Sequence, residues 1–162
     1  MRRLSALLAA LAFSALSAAC SSIEIEKVLV ITDVHTGWYD AGIQPGGKNK
    51  LVPSISFHLK NQGGEPLTSV QMNAIFRRVN EAEAWGEHFV KAIGPEPPLA
   101  AGATSGLVVL RSNLGYTGDQ PRNVMLKHHD FVDAKVEIFA KHGRRTWVKL
   151  GEYPIARDLL TQ

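Results

Sequence analysis

The residue with the most distinctive side-chain chemistry in this chain is Cys20, the only cysteine of its 162 residues. A single cysteine cannot form a disulfide within the chain, so no internal cross-link is available in an oxidising compartment. A buried thiol, an incidental thiol and a handle for dimerisation are the ordinary alternatives. The position of Cys20, directly after an apolar N-terminal run, argues against them.

The N-terminal segment has the three parts of a secretory signal. It begins Met1-Arg2-Arg3, continues as an apolar run over residues 4–19, and ends with small residues immediately before Cys20. A membrane-spanning helix needs about 20 mainly apolar residues, whereas this run has 16 and contains three serines. We therefore predict a cleaved signal peptide over residues 1–19.

The end of this segment, Leu16-Ser17-Ala18-Ala19-Cys20, resembles the lipobox of bacterial lipoproteins. It departs from the usual pattern at Ser17, where a large apolar residue is common. The resemblance covers residues 1–22 and implies that Cys20 becomes the mature N-terminus and carries a thioether-linked diacylglycerol. One acyl chain binds a bilayer only marginally, whereas two or more acyl chains anchor a protein firmly.

The residue after the cysteine bears on the compartment. Ser21 stands where an aspartate would resemble an inner-membrane retention signal of enteric bacteria. The resemblance thus implies lipid anchoring in the cell envelope, with the outer membrane, facing the periplasm, preferred and the inner membrane as the alternative.

The mature chain has the size of one domain. Removal of residues 1–19 leaves residues 20–162, which we divide into a lipidated cysteine with a short tether (20–26) and a single domain (27–162). Two arginines leave with the signal, so Lys+Arg falls from 18 to 16 against 15 Asp+Glu, a net charge of +1. This near-neutral balance gives no reason to expect nucleic-acid binding.

Six histidines raise the question of a metal site: His35, His58, His88, His128, His129 and His142. None shows the close spacings of a zinc site. The densest cluster is His128-His129-Asp130, but neighbours on a strand point to opposite faces, so at most one of these histidines is expected to act with Asp130. We predict no metal site and no cofactor.

Catalytic motifs are also missing from the sequence. There is no Gly-x-Ser-x-Gly elbow, and the glycine-rich segments 42–47 and 115–118 lack the Gly-Lys-Ser/Thr of a phosphate loop. We predict that the protein is not an enzyme and has no catalytic residues.

The remainder of the chain has the pattern of short strands. Residues 27–34 are β-branched and apolar, and residues 52–60 alternate, with Ile55, Phe57 and Leu59 on one face; Pro53 is expected near the start of that strand or on a sheet edge. Further strands are predicted at 67–77, the second half of 81–94, 105–111, 134–140 and 146–155. The opening of 81–94 could be a helical turn, and residues 123–129 could be helix or strand.

About seven strands with regular turns and no long amphipathic helix predict an antiparallel, immunoglobulin-like β-sandwich with at most one or two short helices. Residues 53–110 are similar to small immunoglobulin-like envelope domains of the FxLYD and WHy type. The similarity is carried by the turn after Lys60 (NQGGEP) and by Pro98-Leu99-Ala100-Ala101-Gly102 before an apolar strand. It implies the same sandwich fold.

Two loops carry the aromatic residues best suited to an interface. Residues 36–50 are predicted to be a long loop holding Trp38 and Tyr39, and residues 112–123 form a second loop with Tyr116. If they meet at one end of the sandwich, they could bind a partner; the alternative is that Trp38 and Tyr39 fold back and plug the core. Trp85 and Trp147 are predicted to be core or half-buried sheet residues.

These observations favour a membrane-anchored, non-catalytic envelope lipoprotein whose sandwich serves protein–protein interaction or envelope assembly. Its predicted partners are the lipid bilayer, through acylated Cys20, and an envelope protein. The alternative is a module that binds a small molecule, a lipid or a metal.

Overall fold

The structure, a computed structural model, describes residues 23–160. Nine strands are present in this part of the chain: β1 Leu29–Ile43, β2 Asn49–Asn61, β3 Val70–Arg78, β4 Gly86–Ile93, β5 Val108–Arg111, β6 Tyr116–Gly118, β7 Ala134–His142, β8 Val148–Pro154 and β9 Leu159–Leu160. Two four-residue helices, α1 Ile25–Val28 and α2 Arg122–Met125, complete the described elements.

The strands form two sheets that pack face to face. The first sheet has the order β5-β2-β1-β9, with β6 also paired to β2, and the second has the order β4-β3-β7-β8. Every pairing is antiparallel except that of β1 with β9. The predicted all-β antiparallel sandwich is confirmed. The two strands beyond the seven expected are β6 and β9, which are too short for a sequence pattern to reveal.

Alternation along the strands builds the core. Val70, Met72, Ala74 and Phe76 of β3 are completely buried, as the pattern predicts. Ile55, Phe57 and Leu59 of β2 meet them from the first sheet. The two inner faces therefore close a continuous apolar layer between the sheets.

Pro53 lies inside a central strand, contrary to the expectation that it would mark a strand start or an edge. It sits between the part of β2 that pairs with β6 (Asn49 to Leu51) and the part that pairs with β5 (Ser54 to Phe57). Its carbonyl accepts a hydrogen bond from Ser112 N on that side. Since the nitrogen and carbonyl of one strand residue point the same way, the missing N–H falls in the gap between two partner strands.

The long loop predicted over residues 36–50 is wrong. β1 continues to Ile43, a short turn follows, and β2 begins at Asn49. Gly37, Asp40 and Gly42 lie within β1, whose pairing to β2 is irregular at 32–35 and 40–43, whereas Gly46 and Gly47 lie in the turn. Packing explains the glycine at position 37, because a Cβ there would lie 2.7 Å from Leu160 Cγ.

The segments around β4, α2 and α1 also have defined secondary structure. The second half of 81–94 is strand β4, and its opening is a turn and coil segment rather than helix. The undecided segment 123–129 contains the end of α2. The chain before β1 is helix α1 instead of strand at residues 27 and 28, and Ile25 within the predicted tether is buried against the core.

The sandwich has two distinct ends. The end where the described chain begins, here called the N-terminal end, carries Ile23, the turn after Asn61 and the β7–β8 turn; Ile23 and Glu24 line shared grooves with both turns. The opposite, distal end carries the β1–β2 turn, residues 79–85 and the segment around α2, joined by bonds such as Val79 N to Asp133 O.

At the N-terminal end one buried side chain connects the loops. The Asn61 side-chain NH2 donates to the carbonyls of Glu65, Leu99 and Ala100 at 2.8, 3.1 and 3.2 Å, and its Oδ1 accepts from Gly63 N at 2.9 Å. The two motif-bearing loops noted in the sequence are therefore held together through Asn61. A completely buried amide is tolerated here because its hydrogen-bonding groups are paired.

Candidate functional site at the distal end

The distal end is closed by a cluster of four aromatic rings. Trp38 is completely buried at its centre, with ring centroids 4.6 Å from Phe131, 5.7 Å from Tyr116 and 6.2 Å from Trp85. Tyr116 also packs on Trp85 at 4.9 Å and on Phe131 at 4.8 Å. These separations are typical of favourable aromatic pairs, so the cluster is a rigid plug made from four distant parts of the chain.

The short strands β9 and β6 hold Trp38 and Tyr116 in place. The backbone N–H of Trp38 donates to Asp158 O at 2.8 Å, which ties it to the start of β9. Tyr116 opens β6, directly after Gly115, whose hypothetical Cβ would lie 2.0 Å from Leu51 O. Only glycine permits this close approach of two backbones, and it fixes where the Tyr116 ring can point.

An open cleft of about 470 Å³ lies beside the plug. Tyr116 and Phe131 contribute its aromatic wall and Met125 of α2 its floor, while the Tyr116 hydroxyl donates to Val132 O at 3.2 Å. The remaining lining is polar: Thr117, Gly118, Asp119, Gln120, His128 and Asp130. An apolar wall with converging polar groups is the usual character of a small-ligand site.

At the rim of this cleft, His128, His129 and Asp130 come together. Asp130 Oδ1 lies 3.1 Å from His129 Nε2, and Asp130 Oδ2 lies 3.7 Å from His128 Nδ1. One donor atom from each residue lies within 4.8 Å of the others. The expectation that at most one histidine could act with Asp130 is wrong, because these residues lie in a turn after α2 and not on a strand.

Several charged side chains at this end are paired with each other. Arg157 bonds Asp133 at 2.5 Å and also donates to the carbonyls of Leu126 and Phe131, which fastens the 126–133 segment to the end of the chain. The paired Asp133 raises the pKa of Arg157. Burial opposes ionisation of Asp40, yet its ion pair with Arg122 and the hydrogen bond that it accepts from the Gly42 N–H outweigh this effect and lower the pKa of that carboxyl.

Several large apolar side chains are exposed in the same region. They come from the end of β1, the chain after β3, the chain before β6, α2 and the chain before β7: Ile43, Val79, Leu114, Val124 and Val132. Leu114 is 48% exposed. The distal end thus combines an apolar surface with several locally paired charges.

The structure separates the predicted site residues. Trp38 is the core plug that the alternative interpretation described, so its side chain offers no surface to a partner. Tyr39 lies next to it on β1 and takes the Arg111 guanidinium over its ring at 3.5 Å. Tyr116 is half-buried and borders the cleft. Cys20 lies outside the residues that the structure describes.

The other two tryptophans also differ. Trp85 packs against the core, as predicted, whereas Trp147 is 39% exposed and lies at the N-terminal end. The partnership of Phe131 with Trp38, and the cleft beside it, were not predicted. They depend on contacts between residues almost a hundred positions apart, for which the local sequence gives no signal.

Between residues 23 and 160, no helix is long and apolar enough to cross a membrane. The sequence matches no protein-family model and no curated protein. Among solved structures, the chain is similar to an X-ray structure from the Northeast Structural Genomics Consortium, with 13% identity, a TM-score of 0.46, and coverage of 82% of this chain and 89% of that one.

It is also similar to the crystal structure of an ApaA protein from Bordetella pertussis, with 16% identity, a TM-score of 0.41, and coverage of 80% of this chain and 93% of that one. The class of the protein is therefore defined by its own strands and sheets: an all-β sandwich with an aromatic plug and an open cleft at its distal end.

Proposed function

We propose that this protein is a lipoprotein of the cell envelope, anchored through acylated Cys20, that presents the distal end of a non-catalytic sandwich to another envelope protein. The preferred location is the outer membrane, with the domain facing the periplasm. The observation that carries the proposal is the position of the lipobox cysteine only three residues before Ile23, where the chain joins one end of the sandwich.

The distance to the anchor follows from chain dimensions. Three residues span at most about 10 Å, and Ile25 is already packed in the core. A lipid on Cys20 would therefore hold the N-terminal end close to the bilayer. The distal end would point away from it, toward the partners that the compartment offers.

The surface chemistry of the distal end suits a protein partner. Exposed apolar groups, and charges that are already paired such as Arg122 with Asp40, cost less to desolvate on binding than unpaired charges do. After Ile43, Leu114 and Val124 are the most exposed of the apolar side chains on this surface.

Anchoring is tested by the Cys20→Ala variant expressed with its own signal. The wild type should fractionate with membranes, and its N-terminal peptide should carry the mass of a diacylglycerol. The variant should move to the soluble fraction or accumulate unprocessed. Membrane association of the variant at the wild-type level would refute lipidation at Cys20.

The distal surface is tested by Leu114→Glu, with Leu107→Glu as the matched control. Both leucines are exposed, by 48% and 59%, but Leu107 precedes β5 and lies outside the distal end. After crosslinking in cells, a specific envelope protein should co-purify with the wild type and the control, and be lost from Leu114→Glu. Equal recovery of that envelope protein with both variants would show that the distal end is not its contact surface.

A second candidate function is binding of a metal ion or small molecule at the cleft. The convergence of His128, His129 and Asp130 at its rim favours it, because imidazole and carboxylate groups are ligands for Zn²⁺. Three neighbouring residues provide one ligand fewer than the four of a structural zinc site, so water or a bound molecule would complete the coordination.

Calorimetric titration of the mature chain with Zn²⁺ distinguishes the two candidates. Stoichiometric binding lost in His129→Ala, but kept in the exposed His35→Ala control, would establish the cleft function. Equal heats for both variants would leave the protein-interaction proposal as the better account.

A further inference from the structure

The N-terminal end carries a surface of quite different composition, on the outer face of the second sheet. Trp147 lies directly before β8, and its ring packs against Phe89 with centroids 6.1 Å apart in an edge-to-face arrangement. Lys141 places its ammonium 4.9 Å from the centroid of the Trp147 ring. Phe89 is 57% exposed, which is unusual for an aromatic residue in the middle of a strand.

Basic residues surround this aromatic pair. The register places Lys91 of β4 and Lys141 of β7 on either side of Gln71, in one row across the sheet. Arg144 and Arg145 are exposed in the adjoining β7–β8 turn. We call this surface the hairpin patch, and it consists of Phe89, Lys91, Lys141, Arg144, Arg145 and Trp147.

Most acidic groups near the patch are engaged or lie in other rows, and Glu26 lines the groove beside Arg144 and Arg145. Glu24 forms an ion pair with Lys27 at 2.5 Å, which lowers its pKa, and Arg145 contributes to the same lowering. Glu87 and Glu137 lie one row further toward the distal end, both beside Ile75. Lys91 and Lys141, in the row nearest the turn, therefore have no carboxylate in their row, whereas Lys149 in the next row is paired with Glu137 and Glu152.

The chain reaches the domain at this corner. Ile23 and Glu24 line a groove together with Arg144, Arg145 and Thr146. Only two residues separate Cys20 from Ile23, so a lipid on Cys20 would lie within about 10 Å of Ile23, which borders the same groove as the β7–β8 turn. A bilayer that holds that lipid would therefore lie next to the corner of the patch formed by Arg144 and Arg145.

We propose that the hairpin patch rests on the surface of a bilayer containing anionic lipid, and so fixes the orientation of the anchored domain. This inference rests on the proposed lipidation of Cys20. Indole rings favour the level of the lipid headgroups, where an apolar ring and a polar N–H are both accommodated. Lysine and arginine reach the phosphate groups while their methylene stems lie along the apolar boundary.

The charge of the bilayer decides the strength of this contact. Each basic residue near an anionic membrane surface contributes about 1 kcal/mol, or roughly fivefold in the ratio of docked to undocked domain. Replacing Arg144 and Arg145 should thus lower that ratio about 25-fold. Because the covalent anchor is unaffected, the protein should remain on the membrane while its domain swings free.

The test uses the lipidated full-length mature protein in vesicles of phosphatidylethanolamine with about one quarter phosphatidylglycerol. Lipids brominated near the headgroup quench the fluorescence of an indole in contact with them. Comparison with Trp147→Phe isolates the Trp147 contribution from those of Trp38 and Trp85. We expect quenching of Trp147 in these vesicles and its loss in the Arg144→Glu/Arg145→Glu variant.

The matched control is Lys48→Glu/Lys127→Glu, which makes the same change of charge at exposed distal residues and should keep the quenching. Unquenched Trp147 in an acylated protein, or equal quenching of the two double variants, would overturn the proposal. A protein that lacks acyl chains by mass spectrometry would instead overturn the proposed anchoring, so the two failures are distinguishable.

Discussion

The two ends of the sandwich are held together by different kinds of interaction. At the N-terminal end, hydrogen bonds to the Asn61 amide join two turns that are only forty residues apart in the chain. At the distal end, four aromatic rings from β1, the chain before β4, β6 and the segment before β7 pack around Trp38. One end is specified by paired polar groups and the other by apolar volume.

The difference explains the kind of surface that each end offers. Local turns at the N-terminal end leave the basic and aromatic side chains of the β7–β8 corner on the outside. The distal rings draw the 112–133 segment over the core and leave a cleft beside it, bordered by Tyr116 and Phe131. The polar end suits a charged lipid surface, and the aromatic end suits a partner or ligand.

The largest effect should come from removing the centre of the plug. Trp38→Ala should lower the free energy of unfolding by about 3–5 kcal/mol, because it opens a cavity among three rings. Trp38→Phe should cost only about 1–2 kcal/mol, since it keeps a ring and removes an indole N–H that has no hydrogen-bond partner within residues 23–160. Urea denaturation followed by circular dichroism measures both, and equal losses would refute the plug.

Asn61→Ala should come next and should act on the other end. Three carbonyls and the Gly63 N–H would lose their buried partner, at a cost of about 2–3 kcal/mol. The exposed Asn123→Ala provides the control and should change stability by less than about 0.5 kcal/mol. Hydrogen exchange should show loosening of the turns at 61–66 and 98–103 in Asn61→Ala alone; a distal response would contradict the separation of the two ends.

Gly115→Ala should have a smaller effect that is confined to the distal end. A Cβ cannot fit 2.0 Å from Leu51 O, so β6 must move away from β2 at a cost of about 1–3 kcal/mol. Gly64→Ala, where a Cβ meets no atom of residues 23–160 within 4 Å, should be close to neutral. Chemical shifts of the Tyr116 and Phe131 rings should change in the first variant only.

The smallest effect is the pH dependence of the ion pairs on the second sheet. Bonds from Lys149 and Arg77 lower the pKa of Glu137, and bonds from Lys149 and Lys135 lower the pKa of Glu152 to about 2. Because the unfolded carboxylates take up protons first, this stabilisation is complete above about pH 5 and is lost as the pH falls toward 2. Lys149→Met should flatten the pH dependence of the free energy of unfolding over that range, whereas Lys91→Met should leave this dependence unchanged.

Sequence patterns predicted the strands of this fold well where alternation is strict. Residues 70–76 and 134–140 alternate between buried and half-buried positions, and both are confirmed as strands of the second sheet. The prediction was wrong for residues 36–50, which show no clear strand pattern and were expected to form a loop. There the pairing with β2 and the packing of Gly37 under Leu160 override the local preference of the residues.

The distal cleft was beyond prediction for a physical reason. Its members come from separate segments, and nothing in the sequence around Trp38 indicates Phe131 as its neighbour. The histidine cluster was visible as a sequence motif, but its geometry depended on a turn that the pattern left undecided between helix and strand. Contacts that depend on tertiary packing therefore account for most of what the sequence did not reveal.

The orientation of the two ends is the central claim, and site-specific photo-crosslinking in living cells tests it most directly. A photoreactive residue at Val124 should give a protein adduct, and one at Thr146, in the β7–β8 turn, should give lipid adducts. Both positions are exposed, so reactivity does not favour either. Lipid adducts from Val124, or the same protein adduct from both positions, would contradict the account.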